Sequence, residues 1–376
     1  MADSSYQARI KQENECAALR CIWQHSPISR SELVPMLGIS KSAVTNIVGS
    51  LLEEGIVQSV GFRQNSRGRS SDLLCINERF GYIVGISITT MGTIVAISDF
   101  RAHILYKKSI PTPSTPQNSQ LLETLISCIK EALDFCKISL DKVLGVGVSV
   151  PSMVYASRSV FTPVINLYDL PIGDVFRLAF QKPVYVSSLG MSAARAEKWL
   201  GSSDKCSSVA CLDISRGIGL GILVDGQVYL GGHGFAGADV SHMSLLTNGP
   251  VCSCGRRGCW EKIGSLQILN SREIEDVTAH ADQGDSNAIE LLDQIGTYTG
   301  MGIAKIIQIT NPNRVIISGP ITKGKDWVLN SIHSTIKQAT LPTVYNLTEV
   351  GYSLLAESAP LLGAIMSVIE TRLAPV

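Results

Sequence analysis

Apolar positions along this chain follow a helical period first and a strand-like one later, and the change marks its organisation. In E-C-A-A-L-R-C-I-W-Q, Leu19, Ile22 and Trp23 recur at helical spacing and predict a short first helix. Ser29, with Glu32 three residues on, has the capping-box pattern and opens a second helix that ends near Leu37-Gly38. Ser40 caps a third, K-S-A-V-T-N-I-V-G-S-L-L-E-E. Its Val44, Ile47, Val48 and Leu51 form the inward stripe and leave Lys41, Ser42, Thr45 and Asn46 outside. Gly55-Ile56-Val57-Gln58 then reads as a strand, followed by the polar loop G-F-R-Q-N-S-R-G-R-S-S and a returning strand D-L-L-C-I-N. Two short helices joined by a Gly-containing turn fit a helix-turn-helix, and the hairpin fits a wing beside it.

From Tyr82 the pattern changes. I-V-G-I-S-I, T-I-V-A-I-S and A-H-I-L-Y-K-K are three β-rich runs. An amphipathic helix follows over Asn118–Lys137, its face marked by Leu122, Ile126, Ile129 and Leu133, and then a fully apolar strand V-L-G-V-G-V-S-V. After Cys206 the order repeats as S-V-A-C-L-D-I, G-L-G-I-L-V, a turn at Asp225-Gly226, V-Y-L, helices, and R-V-I-I-S-G-P. Two such halves fit an α/β chain in which a winged helix-turn-helix precedes a duplicated actin-like (ribonuclease H-like) two-lobe fold of the ATPase type, with a cleft between lobes. The chain has 376 residues, 45% hydrophobic and 17% charged, more than one ordinary core holds. The expected division is a head with wing and linker over 1–78, a first lobe over 79–185, and a second lobe over 186–376.

Charge narrows the partners. Lys+Arg and Asp+Glu are balanced at 32 each, so a nucleic-acid surface must be local. Residues 1–80 carry nine basic and eight acidic side chains, but Arg63, Arg67 and Arg69 occur in a run without an acid. Such a loop suits phosphates or a narrow minor groove. The expected DNA contacts are Arg30, Lys41, Ser42, Thr45, Asn46, Arg63, Arg67 and Arg69. The plain alternative is a small helical module with a solvated loop. No run of about 18 apolar residues is present, nor an apolar stretch behind M-A-D-S-S-Y-Q-A-R, so no membrane association and a cytoplasmic location are expected. Cys128, Cys136 and Cys211 sit singly among apolar neighbours, as reduced core cysteines do.

His242, Cys252, Cys254 and Cys259 stand apart from these. Three thiolates and an imidazole fill a zinc tetrahedron and leave no open position, so the expected cofactor is one structural zinc ion. The alternative, three buried cysteines and an unrelated histidine, fits their crowding into C-x-C-x4-C poorly.

S-R-S-E-L-V-P-M-L-G-I-S-K-S-A-V-T-N-I-V-G-S-L-L-E-E-G-I-V, then G-R-S-S-D-L-L-C-I-N and G-Y-I-V-G-I-S-I, resemble the head and linker of ROK-family repressors. The His242–Glu261 stretch is similar to that family's zinc motif, and the resemblance covers about residues 12 to 370. The family joins sugar-responsive repressors with sugar kinases that lack the head. The resemblance implies a dimeric or tetrameric repressor of carbohydrate genes that binds a double-stranded operator and senses a sugar or sugar phosphate. It also implies that the last helix of the second lobe returns to the first lobe. The kinases' D-x-G-G-T turn corresponds here to Ser87-Ile88-Thr89-Thr90-Met91-Gly92, and their Asn-Asp pair to Ser188 and Leu189. A leucine takes no proton, so no kinase activity is expected. The glycines of Ser215–Gly221 remain, but such a hairpin also persists for packing. The family's sugar contacts map onto Asp239, His242 and Glu261. Asp239 is shorter than the family's glutamate, Ser241 replaces a glycine, and counting from Gly231 puts Ala238 at the glutamate position. The competing expectations are a sugar kinase with a DNA-binding head and a DNA-binding regulator without an effector.

Overall fold

The computed structural model describes residues 2–64, 70–112, 118–162, 167–203, 206–237 and 239–374. The head contains α1 (Ala2–His25), β1 (Ile28–Ser29), α2 (Arg30–Leu37), α3 (Lys41–Glu53), β2 (Val57–Gln64) and β3 (Ser70–Ile76). Helix α1 starts well before the predicted first helix. Strand β1 was not foreseen: its two residues pair with Leu73 and Leu74 of β3, giving a sheet in the order β1-β3-β2. The capping box on α2 is present, with Ser29 N donating to Glu32 Oε2 at 2.8 Å and Glu32 N to Ser29 Oγ at 3.3 Å. Gly38 ends α2 in the left-handed region at φ 64°, a conformation costly for any residue with a Cβ.

The first lobe runs through β4 (Tyr82–Ile88), β5 (Thr93–Ser98), β6 (Ile104–Ile110), α4 (Asn118–Cys136), β7 (Val143–Val150), β8 (Met153–Tyr155), β9 (Arg158–Thr162), β10 (Leu167–Leu170), α5 (Ile172–Phe180) and β11 (Val184–Ser188). The second contains α6 (Leu189–Trp199), β12 (Ser208–Ile214), β13 (Ile218–Val224), β14 (Gln227–Val228), α7 (Trp260–Gly264), α8 (Ile274–Asp282), α9 (Ser286–Thr310), β15 (Arg314–Ser318), α10 (Lys325–Ala339), α11 (Pro342–Leu347), β16 (Glu349–Tyr352) and α12 (Ala359–Leu373). Their large sheets have the orders β11-β7-β4-β5-β6 and β14-β13-β12-β15-β16. In each, a central strand pairs antiparallel with the next strand on one side and parallel with a later strand on the other. The duplication that the sequence hinted at is therefore explicit in strand order. The predicted V-Y-L strand shrinks to the two residues of β14, and a small antiparallel sheet β10-β9-β8 was not predicted.

The head is built into the body. Ala18, Leu19, Ile22 and Trp23 of α1 share one hydrophobic cluster with Phe100 and with Leu361, Ile365, Met366 and Ile369 of α12. Trp23 meets the edge of Phe100 at 6.1 Å, and Arg101 Nη1 donates to the Trp23 carbonyl at 2.6 Å. Helix α12 also packs along α6, whose first residues border the cleft. Buried apolar contact thus runs from the cleft to the head.

Candidate functional site

In the head, Val44, Ile47, Val48 and Leu51 are buried, while Lys41, Ser42, Thr45 and Asn46 are exposed on the opposite side of α3. Ser40 caps that helix by accepting from Ala43 N at 3.2 Å. Thr45 Oγ1 turns back to the Lys41 carbonyl at 2.8 Å. Two expected DNA contacts are engaged within the head: Arg30 Nη1 lies 2.8 Å from Asp72 Oδ2, and Arg63 Nη1 lies 3.0 Å from Glu32 Oε1. Arg67 and Arg69 lie outside the described residues.

In the second lobe the four soft ligands converge. The ligand atoms of His242, Cys252, Cys254 and Cys259 all lie within 4.8 Å of one another. Cys254 Sγ and Cys259 Sγ are 3.7 Å apart, and Cys252 Sγ is 3.6 Å from His242 Nδ1. Zinc bonds of about 2.3 Å to sulfur and about 2.0–2.1 Å to nitrogen imply tetrahedral edges of about 3.8 Å and 3.6 Å, so the donor set fits the ion. Burial, then the crowding of Cys254 and Cys252, pushes the Cys259 thiol up to about 12, a repulsion that a dication would relieve. Cys252 N donates to the Arg256 carbonyl at 2.8 Å, and Trp260 N to the Met243 carbonyl at 2.9 Å. This tight loop fixes the start of α7, where Glu261 follows Cys259 by two residues.

Glu261 is almost fully buried and faces a cavity between the lobes, lined also by Thr90, Val150, Met153, Ser188, Leu189, Asp213, Ser215, Asp239 and His242. Glu261 Oε1 and Thr90 Oγ1 are buried there without a hydrogen-bond partner. Burial pushes the Glu261 carboxyl up to about 7. An orphaned carboxylate oxygen in a cavity is costly unless something supplies hydroxyls to it. Asp239 lines the same space from its rim, half exposed, with Arg256 Nη2 at 3.1 Å and 3.3 Å from its oxygens. Ser188 is the N-cap of α6 and accepts from Met191 N at 3.3 Å, and the buried Leu189 beside it gives the cavity an apolar wall.

Asp213 escaped the sequence reading. It is buried near the end of β12, 3.4 Å from Ser318 Oγ, and burial pushes its carboxyl up to about 6. A lone acid inside the apolar run S-V-A-C-L-D-I was the available signal. The glycines of the following hairpin serve packing. A Cβ on Gly221 would meet the Gly190 carbonyl oxygen at 2.1 Å, so β13 lies directly on the start of α6. Ser87 is buried and does not line this cavity. The turn after β4 is closed on itself, with Thr89 Oγ1 accepting from Met91 N at 3.1 Å and Gly92 N at 3.2 Å.

A two-lobed duplicated body with a cysteine-rich loop beside its cleft, carrying a winged-helix head, defines a class. Residues 83–371 match the ROK family and residues 12–65 the MarR family, and this chain belongs to the ROK family. It is 31% identical over 378 residues to the xylose repressor of Bacillus spizizenii, covering 98% of both chains. It is 25% identical over 352 residues to the DNA-binding transcriptional dual regulator NagC of Escherichia coli, covering 88% of this chain and 86% of that one. The crystal structure of a ROK family transcriptional regulator, a homolog of the E. coli MLC protein, superposes with a TM-score of 0.81 at 25% identity over 97% of this chain and 98% of that one. Among the described residues, no helix is long and apolar enough to cross a membrane.

Proposed function

We propose that this protein is a sugar-responsive transcriptional repressor of carbohydrate genes, acting as a homodimer or homotetramer on a double-stranded operator in the cytoplasm. The head, over about 1–78, supplies Lys41, Ser42, Thr45 and Asn46 to the major groove and the wing arginines to the backbone. The lobes, divided after β11 rather than within it at residues 185–186, hold the effector between them. The carrying observation is the cavity in which Glu261 Oε1 and Thr90 Oγ1 have no protein partner. Vicinal hydroxyls of a sugar donate to such a carboxylate in charge-assisted bonds. One structural zinc ion on His242, Cys252, Cys254 and Cys259 holds Glu261 in place.

The resemblance puts Leu189 where the family's kinases carry their base and Ser87 at the phosphate-handling carboxylate, which supports a body without kinase activity. Genomic footprinting followed by operator-binding titration with and without sugars tests the proposal. Release of footprinted DNA by a sugar is expected. ATP turnover on any common hexose, aminosugar or pentose would instead establish a kinase with a regulatory head, and footprints indifferent to every sugar a regulator without effector.

A further inference from the structure

We propose that the interlobe cavity selects uncharged sugars over their phosphate esters, and that Asp213 is a specificity-determining residue for that choice together with Glu261. The inference rests on the reading of this cavity as an effector site and narrows the class of effector.

Three carboxylates reach the cavity wall, those of Asp213, Asp239 and Glu261, whereas neither Lys nor Arg is among the described residues that line it. Arg256 near the rim is committed to Asp239 at 3.1 Å, and Lys262, next to Glu261 in the chain, does not line the cavity. Asp213 also borders a second cavity on the far side of the cleft, whose wall includes Glu357 and again no Lys or Arg among the described residues. Lys323 beside that wall is shared between Glu275 and Glu357. A ligand reaching past Glu261 toward Asp213 therefore meets carboxyl groups and, among the described lining residues, no cation to balance a phosphate.

A phosphate ester carries about −1.5 to −2 charges near neutral pH, and proteins hold it with Arg or Lys forks or with free helix amino ends. The amino end of α6 borders the cavity, and Ser188 Oγ takes up one of its free amides by accepting from Met191 N at 3.3 Å. A neutral sugar meets the opposite situation. Its hydroxyls donate to Asp213 and Glu261, Thr90 and Ser215 add hydroxyl partners, and the C–H face of the ring lies against Leu189, Val150 and Met153. Asp213 is buried with Ser318 Oγ at 3.4 Å, a hydroxyl that also lies 3.0 Å from the Leu212 carbonyl, so a sugar hydroxyl brought to Asp213 finds an acceptor with capacity to spare.

The test is calorimetric titration of the full chain with free pentoses, hexoses and N-acetylaminosugars and, in parallel, with their phosphate esters. At least one free sugar binds, and its ester binds at least about tenfold more weakly, as expected for one unfavourable charge contact. Asp213→Asn weakens the free sugar by about tenfold and narrows the gap to its ester, with the melting temperature as control for folding. An ester binding as tightly as its parent sugar overturns the inference and leaves sugar sensing standing. Unchanged affinity and unchanged discrimination in a folded Asp213→Asn removes Asp213 from its role. If neither class binds while operator binding is intact, the effector reading itself falls, and the inference with it. Should Asp213→Asn fail to fold, the comparison on the unaltered protein still decides whether phosphate is rejected.

Discussion

Replacing Glu370 by Gln should loosen the joint between the cleft helix and the helix that carries the head. Glu370 lies on α12 and binds three groups of α6: Arg195 Nε at 2.9 Å, Lys198 Nζ at 2.6 Å and Trp199 Nε1 at 3.0 Å. All three charged side chains are mostly buried, at 14%, 13% and 18% exposure for Arg195, Lys198 and Glu370. Burial alone would raise the Glu370 carboxyl, but the Arg195 and Lys198 charges and their hydrogen bonds outweigh it and hold it at about 2 instead of 4.5. That difference is worth roughly 3 kcal/mol at neutral pH. Because the folded value is depressed, this contribution is complete above pH 4.5 and is lost as pH falls toward 2. Glu370→Gln also leaves two cations buried without their carboxylate, which costs about 3–5 kcal/mol in comparable pairs. Urea denaturation at pH 7 should therefore show a loss of roughly 3 kcal/mol. The penalty should be constant between pH 6 and 8, since Glu370 stays ionised throughout that range. A loss below about 1 kcal/mol would mean that the cluster behaves as a surface pair, and would refute the joint.

Other consequences are testable with simpler means. Elemental analysis of the purified protein should find one zinc per chain; Cys254→Ser or chelation should lower the melting temperature and abolish sugar binding, because Glu261 follows Cys259 by two residues. Lys41→Ala and Asn46→Ala should weaken operator binding without changing stability, since both side chains are exposed on α3; a matching loss of stability would contradict a contact role. Arg67→Ala should reduce the salt slope of DNA binding by about 0.9 if it meets one phosphate. Arg63→Ala should change that slope less, because Glu32 already holds its guanidinium at 3.0 Å.

Local signals carried much of the structure in the sequence. Ser29, Glu32 and Ser40 announced the starts of α2 and α3 because caps depend on neighbours within three residues. The cluster of His242, Cys252, Cys254 and Cys259 was legible for a similar reason: its members crowd into one short stretch that folds on itself. What escaped depends on distant partners. The pairing of Arg30 with Asp72 joins residues 42 apart, so nothing local marked Arg30 as engaged. The duplication of the two sheets lies in strand order, which similar hydrophobic runs suggest without fixing. The shared core of α1 and α12 unites the two ends of the chain and has no signature in either helix alone. Asp213 was visible as an acid in an apolar strand, but only the fold places it at the cleft.

On the proposed function, occupancy of the interlobe cavity controls DNA binding by the head. Fluorescence anisotropy of a footprinted operator fragment tests it most directly, titrated with a sugar that binds the protein, for the natural chain and for Glu261→Ala. The sugar should weaken operator binding by the natural chain at least about tenfold, a coupling of about 1.4 kcal/mol. Glu261→Ala should bind the operator normally and ignore the sugar. Operator affinity that stays the same when the cavity is saturated would rule out control of the head by the cavity.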